Sequence, residues 1–181
     1  PESHTITTGG FWDDSIKYLN INYLDQFEAI KIFLLKGFML PTKRFFLGIP
    51  WPWMTCLLVF IGWQFGGWKL ALMNGLMALF IVMDGMWAKA MITVYLCGVS
   101  VVIASVIGIP LGILAAVNKR AGKIIGAVID TLQTLPSFVY LIPVVMLFRI
   151  GDFTAMIAIV LYALAPAVRY AAHGIRSVSS E

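Results

Sequence analysis

Apolar residues come in long blocks along this chain, and polar residues gather at the breaks between them. The first block with a clear period runs from Ser15 to Phe38. There Ile16, Leu19, Tyr23, Phe27, Ile30, Leu34 and Phe38 recur at spacings of three and four, while Lys17, Asp25, Glu28 and Lys36 fall on the other side. That spacing predicts an amphipathic helix, with Ser15 placed to cap its start. The helix is too polar to span a bilayer. It lies on a membrane surface or packs on a neighbouring subunit, and the pattern allows both. Residues 1–14 are polar and Gly-bearing, a segment expected to be poorly ordered.

Pro41, Pro50 and Pro52 then break the chain around Lys43-Arg44. Beyond them the blocks approach the length of about 20 residues that a helix needs to cross a hydrocarbon core. Five spans are predicted, at about Trp51–Gly67, Leu70–Trp87, Met91–Val117, Ile124–Phe148 and Phe153–Ala172. Trp51, Trp53 and Trp68 suit the interfaces. The third span is long enough to tilt. The fourth is interrupted by Pro136 and Pro143, and Pro110 is placed to kink the third. Small residues four apart, at Gly62/Gly66, Gly108/Gly112 and Gly122/Gly126, predict close helix packing. No internal repeat is apparent.

Composition turns this pattern into a class. Hydrophobic residues make up 60% of the 181 and charged residues 12%, against about 45–50% and about 25% in soluble domains. A fold of this size buries only about 68–70% of its unfolded surface, which excludes a soluble domain. The same content excludes disorder, and two cysteines exclude a disulfide scaffold. What remains is an all-α integral membrane protein. Between residues 45 and 117 the charged residues are Lys69, Asp84 and Lys89 alone. The net charge of +4 is therefore read through loop position, not as a nucleic-acid footprint. Cys56 and Cys97 read as small buried hydrophobes. His4 and His173 carry no assignment. The chain has no initiator Met and no visible signal peptide.

The densest basic loop, Asn118-Lys119-Arg120-Ala121-Gly122-Lys123, is expected in the cytoplasm. Arg169, Arg176 and Glu181 then fall inside and the amino terminus outside. Beyond the amino-terminal tail, six cations (Lys69, Lys119, Arg120, Lys123, Arg169, Arg176) lie inside against two outside (Lys89, Arg149), although Lys43 and Arg44 sit on the opposite side to the rule.

The most unusual segment is the fourth span. Lys123, Asp130, Thr134 and Ser137 fall on one helical face, with Gln133 beside them. At 1.5 Å per residue the stripe runs about 21 Å. An ionised Asp facing lipid is unfavourable by about 3 kcal/mol, so the stripe faces protein or water. It is either a wall of a polar translocation path or an interhelical seam in which Asp130 reaches Lys123 or water. Pro136 frees the carbonyl of Leu132, and broken helices at membrane depth occur where the backbone is buried in protein or lines a cavity. Phe138 and Tyr140 offer transient contacts or plain packing. No phosphate-binding loop, catalytic triad or metal-ligand cluster can be assembled, so the chain is expected to have no catalytic site of its own.

The run Asp130-Thr131-Leu132-Gln133-Thr134-Leu135-Pro136-Ser137-Phe138-Val139-Tyr140-Leu141-Ile142-Pro143 resembles the signature of glycine betaine/proline betaine ABC importer permeases of the ProW and OpuA types. Ile107-Gly108-Ile109-Pro110-Leu111-Gly112-Ile113 is similar too. So are Tyr162-Ala163-Leu164-Ala165-Pro166-Ala167-Val168-Arg169 and Gly174-Ile175-Arg176. The chain departs from the family at Ala165, where a second Pro is usual, and at His173. The resemblance is strong over residues 89–181 and weaker over the tail and surface helix (1–44) and the first two spans (45–88).

That resemblance implies the N-terminal part of a type I ABC importer transmembrane domain. It implies an inner or plasma membrane location in a bacterium or archaeon. The cargo would be a zwitterionic or quaternary-ammonium osmolyte, namely glycine betaine, proline betaine, choline, carnitine or a sulfonium analogue. The implied partners are a second permease copy, two ATPase subunits carrying ATP and Mg, and an extracytoplasmic binding protein. Asp130, Gln133, Thr134, Pro136, Ser137 and Tyr140 would line the path, and Pro110, Pro136 and Pro143 would shape its kinks. Arg169, Arg176 and Glu181 would lie near the coupling loop, whose Glu-Ala-Ala motif is expected just beyond Glu181, so the chain reads as truncated before it. The residues alone leave two alternatives: a secondary transporter or channel subunit, and a structural membrane anchor.

Overall fold

The structure is a computed structural model and describes Tyr23 and residues 26–178. The described residues form helices α1 (residues 26–34), α2 (Leu40–Gly48), α3 (Trp51–Met83), α4 (Trp87–Val117), α5 (Lys119–Thr134), α6 (Ser137–Phe148) and α7 (Asp152–Val178). A π-helical turn, Leu35–Met39, joins α1 to α2. The chain divides into two compact units, one of residues 36–99 and the other of residues up to 35 together with those from 100 onward. Residues 1–22, 24 and 25, which hold His4, Ser15 and, of the predicted amphipathic face, Ile16 and Leu19, lie outside the described residues, as does Glu181.

In the unit of residues 36–99, α3 reverses on itself. Gly67 sits at φ 71°, ψ −169°, a backbone state that glycine adopts without a Cβ clash. Asn74 Nδ2 donates to the Leu58 carbonyl at 3.1 Å across a sequence separation of 16. Along a straight helix those residues would stand about 24 Å apart, so the two arms fold back and pack. Gly62 makes the contact close, since a Cβ there would lie 2.6 Å from Asn74 Nδ2. The reversal falls between the first two predicted spans. Each arm rises about 24 Å at 1.5 Å per residue, short of a hydrocarbon core of about 30 Å.

By length and composition α3, α4 and α7 are each fit to cross a membrane, although α3 reverses at Gly67 and does not make one straight crossing; α5 with α6 makes a further crossing if that bent pair is one span. The difference from five predicted spans lies in the back-folded α3. Hydroxyls within the apolar helices are absorbed locally: Thr55 donates to the Trp51 carbonyl and Thr93 to that of Lys89. Cys56 and Cys97 are free and exposed, which corrects their reading as buried. A lipid-facing surface is as apolar as a core, so a cysteine suits either.

In the other unit α7 is the central element. Ile129 of α5 packs with Ala165 and Val168 of α7, with Leu111, Ile125 and Leu164 against them. Gly108 and Gly112 bring α4 onto α7: a Cβ on Gly112 would lie 2.6 Å from the Val168 carbonyl oxygen and from Ala171 Cβ. The fully buried Ser100 donates to the Met156 carbonyl at 3.4 Å. Gly122 closes against the Ala115 carbonyl, whereas nothing stands within 4 Å of a Cβ on Gly126. The close packing predicted for the second and third glycine pairs thus holds at three of their four positions.

α4 and α5 meet at a single residue. Asn118 Oδ1 accepts from the backbone N–H groups of Arg120 and Ala121 at 2.9 and 3.2 Å and so caps α5. Arg176 Nη2 donates to the Ala115 carbonyl at 3.1 Å, one of the last carbonyls of α4 that no helical N–H reaches. The end of α4, the start of α5 and the end of α7 therefore share one corner.

α5 and α6 are bent by 91° to each other. Leu135 (φ −73°, ψ 136°) and Pro136 (φ −55°, ψ 134°) are both extended, as expected where a proline disfavours helix in the residue before it. The predicted polar stripe is therefore straight only as far as Thr134. Ser137 opens α6 after the bend and leaves that face, and its side chain lies outside the described residues. Pro110 and Pro143 lie within α4 and α6, which continue through them.

The described part of the amphipathic segment rests on the α6–α7 corner of its own chain. Lys31 Nζ donates to the Phe148 carbonyl at 2.9 Å. The Phe27 ring meets Phe148 edge-on at 5.8 Å between centroids.

Replacing Gly112 by Val should force α4 from α7 and destabilise the fold by about 1–3 kcal/mol, read as a lowered thermal midpoint in detergent. Gly126→Ala should hold or raise the midpoint, because the space is open and Ala favours helix over Gly by up to about 1 kcal/mol.

Candidate translocation site

α5 carries two faces along its length. Ile125 and Ile129 point into the core with Val168. One residue on, Asp130 emerges from that contact. One residue beyond Val168 on α7, Arg169 does the same. Arg169 Nη2 donates to Asp130 Oδ1 at 2.5 Å, and the side chains are 55% and 65% exposed respectively. The apolar contact sets the register of the two helices, and the ion pair is its edge.

This pair stands on a chain with many large apolar side chains exposed. Lipid cannot solvate it: an Arg or an Asp at the centre of a spanning helix is unfavourable by at least about 2.5–3.5 kcal/mol. The exposed side of the pair therefore faces water or protein. The interhelical contact of the seam reading is present, with Arg169 of α7 rather than Lys123 as the partner of Asp130.

Gln133, one turn beyond Asp130, lines a cavity of about 400 Å³ with Tyr162, Pro166, Arg169 and Tyr170. Thr134 is exposed and its hydroxyl donates to the Thr131 carbonyl at 3.1 Å. Pro136 is exposed at the break and Phe138 is exposed on α6, while Tyr140 is half-buried on α6 and does not line the cavity. The structure thus brings Asp130 and Gln133 together at one surface and separates Tyr140 from them through the bend.

Three side chains at this surface have roles that the sequence reading did not give them. Arg169 was placed near a coupling loop, yet it completes the ion pair. Its signal was present: Asp130 is the sole acid between Asp84 and Asp152, and Arg169 the sole Lys or Arg between residues 150 and 175. Lone opposite charges in two apolar helices are expected to pair. Tyr162 and Tyr170 flank Pro166 at four-residue spacing, which puts them on one side of α7. A second cavity, of about 220 Å³, lies toward the α4–α5 corner and is edged by Arg169, His173 and Arg176, which gives His173 a place.

Residues 108–181, which hold α5, α6, α7 and this surface, match the family model of the binding-protein-dependent transport system inner membrane component. That stretch of the chain is similar to the membrane components of such transport systems.

The chain is similar to the trimethylamine N-oxide transport system permease protein TmoV of Pelagibacter ubique, at 34% identity over 178 residues, 98% of this chain and 25% of that protein. It is 32% identical to the glycine betaine/proline betaine transport system permease protein ProW of Escherichia coli, over 93% of this chain and 47% of that protein. It is 33% identical to the glycine betaine/carnitine transport permease protein GbuB of Listeria monocytogenes, over 94% of this chain and 61% of that protein. The chain thus spans from a quarter to about three fifths of the length of these relatives. The type I ABC importer transmembrane fold expected from the signature run is the fold of the matched segment.

Because both charges are more than half exposed, their coupling should be small. Asp130→Asn and Arg169→Gln, alone and together, should give a double-mutant coupling below about 1 kcal/mol, measured by thermal unfolding in lipid nanodiscs. A sharp loss in either single variant, restored in the double, would instead mark a dry seam.

Proposed function

We propose that this chain is the membrane-spanning portion of the permease subunit of an ATP-driven, binding-protein-dependent importer. Its cargo is glycine betaine or a related small zwitterionic or quaternary-ammonium osmolyte. The observation that carries this reading is the exposed Asp130–Arg169 pair beside Gln133 at the broken α5–α6 helix, within the segment that matches the permease family. A polar surface of that kind, on helices otherwise fit for lipid, suits an aqueous path. The names of its relatives add trimethylamine N-oxide to the betaines and carnitine as cargo of such proteins. The alternatives without an ATPase draw no support from these relatives.

In this reading two permease copies enclose the path. Two ATPase subunits hydrolyse Mg-ATP, and an extracytoplasmic binding protein delivers the osmolyte. The chain contributes no bond-making chemistry. It contributes a surface that alternates between inward- and outward-open states, biased by nucleotide on its partners. The corner shared by the end of α4, Lys119–Lys123 and Arg176 puts these cations on one side, which supports a cytoplasmic position for that corner. The amino terminus is then outside.

Uptake of radiolabelled glycine betaine by vesicles holding the complete transporter tests the reading. Asp130→Ala combined with Gln133→Ala should lower the uptake rate at least about tenfold, a loss of roughly 1.4 kcal/mol, with assembly retained. Undiminished uptake would remove these residues from the path.

A further inference from the structure

The cavity of about 400 Å³ beside the ion pair has the size of a small-molecule site and an unusual set of groups. Arg169 offers a planar fork of donors that suits an oxyanion. Gln133 adds an amide. Tyr162 and Tyr170, 67% and 78% exposed, offer aromatic rings, and aromatic rings attract quaternary ammonium groups through their quadrupole. Eight residues separate the two tyrosines, about 12 Å of rise along α7. They therefore do not enclose one headgroup. Tyr170 follows Arg169 directly, and Tyr162 stands seven residues before it, about 10 Å of rise toward the other end of this polar strip.

We infer that this cavity is a transit subsite for a small zwitterion, with its oxyanion pole on Arg169 and its cationic nitrogen against Tyr162 or Tyr170. The inference rests on the permease reading above and names the residues that recognise the cargo within it. Its electrostatics follow from the ion pair. Asp130 and Arg169 together are neutral. A zwitterion that enters between them gives its oxyanion to Arg169, while its cationic nitrogen takes up the released Asp130 carboxylate. Every charge keeps a partner throughout, so passage needs no bare charge in a low-dielectric setting. A simple cation would leave Arg169 without an anion, and a simple anion would strand Asp130. The subsite thus favours dipolar cargo over singly charged cargo, and the tyrosines favour an alkylated nitrogen over a primary ammonium that loses more hydration.

The exposure of both tyrosines makes the test clean, because their replacement removes little packing. In vesicles holding the complete transporter and saturating binding protein, the readout is radiolabelled glycine betaine moved per ATP hydrolysed. Tyr162→Leu with Tyr170→Leu should lower that ratio at least about tenfold relative to Tyr162→Phe with Tyr170→Phe, which keeps both rings. Asp130→Asn with Arg169→Gln should lower it as well, although that pair strands no charge. Equal ratios in the Leu and Phe pairs would overturn the subsite, as would an undiminished ratio in the neutralised ion pair. Loss of the assembled complex in the Leu pair alone would assign the tyrosines to a packing seam and overturn it too. Absence of uptake by the wild-type transporter would overturn the permease reading itself, and the subsite with it.

Discussion

An ion pair between two apolar helices constrains everything around it. Asp130 and Arg169 emerge next to the Ile129–Val168 contact and remain more than half exposed. In water such a pair would be worth little. On helices fit for a bilayer it dictates environment, since neither group can be left to lipid. The surface that carries it must meet water or protein.

The rest of the unit holds that face in place. The glycines of α4 let α7 approach to backbone contact. Asn118 starts α5 one residue after α4 ends, and Arg176 ties the end of α7 to the end of α4. At its other end α5 stops where Leu135 and Pro136 turn extended, and α6 leaves at 91°. A continuous span would have carried the polar stripe on toward Ser137. The break confines it to α5 and places Gln133 and Thr134 at a helix end, where freed backbone carbonyls add to the polar surface. α7 supplies the opposite wall with Tyr162, Arg169 and Tyr170.

Much of this was legible in the sequence, for identifiable reasons. Apolar block length predicted the spans, because a bilayer imposes it on any chain that crosses. The boundary read between the first two spans, at about Gly67, falls where the structure turns on the left-handed backbone of that glycine. The polar residues of α5 stood out because charge is rare in such helices. Other features were not legible. Three prolines look alike along the chain, yet the helix breaks at Pro136 and continues through Pro110 and Pro143. Local preference does not say which helix its neighbours will hold straight. The partner of Asp130 lay 39 residues away and was missed because Lys123 offered a nearer cation on the same face. Tyr162 and Tyr170 were hidden among aromatics that membrane helices use for packing. Cys56 and Cys97 show the same ambiguity, since apolar character does not separate a core from a lipid face.

The central claim is that the α5–α7 polar face borders an aqueous path. Thiol accessibility at Gln133→Cys tests it most directly, in a complete transporter whose exposed Cys56 and Cys97 are replaced by Ala. A membrane-impermeant, charged thiol reagent should modify the introduced cysteine. Its rate should change several-fold when non-hydrolysable nucleotide shifts the transporter between inward- and outward-open states. Inertness to that reagent in both states, with quenching of a label at that position by lipid-borne nitroxides, would place the face against lipid and contradict the account.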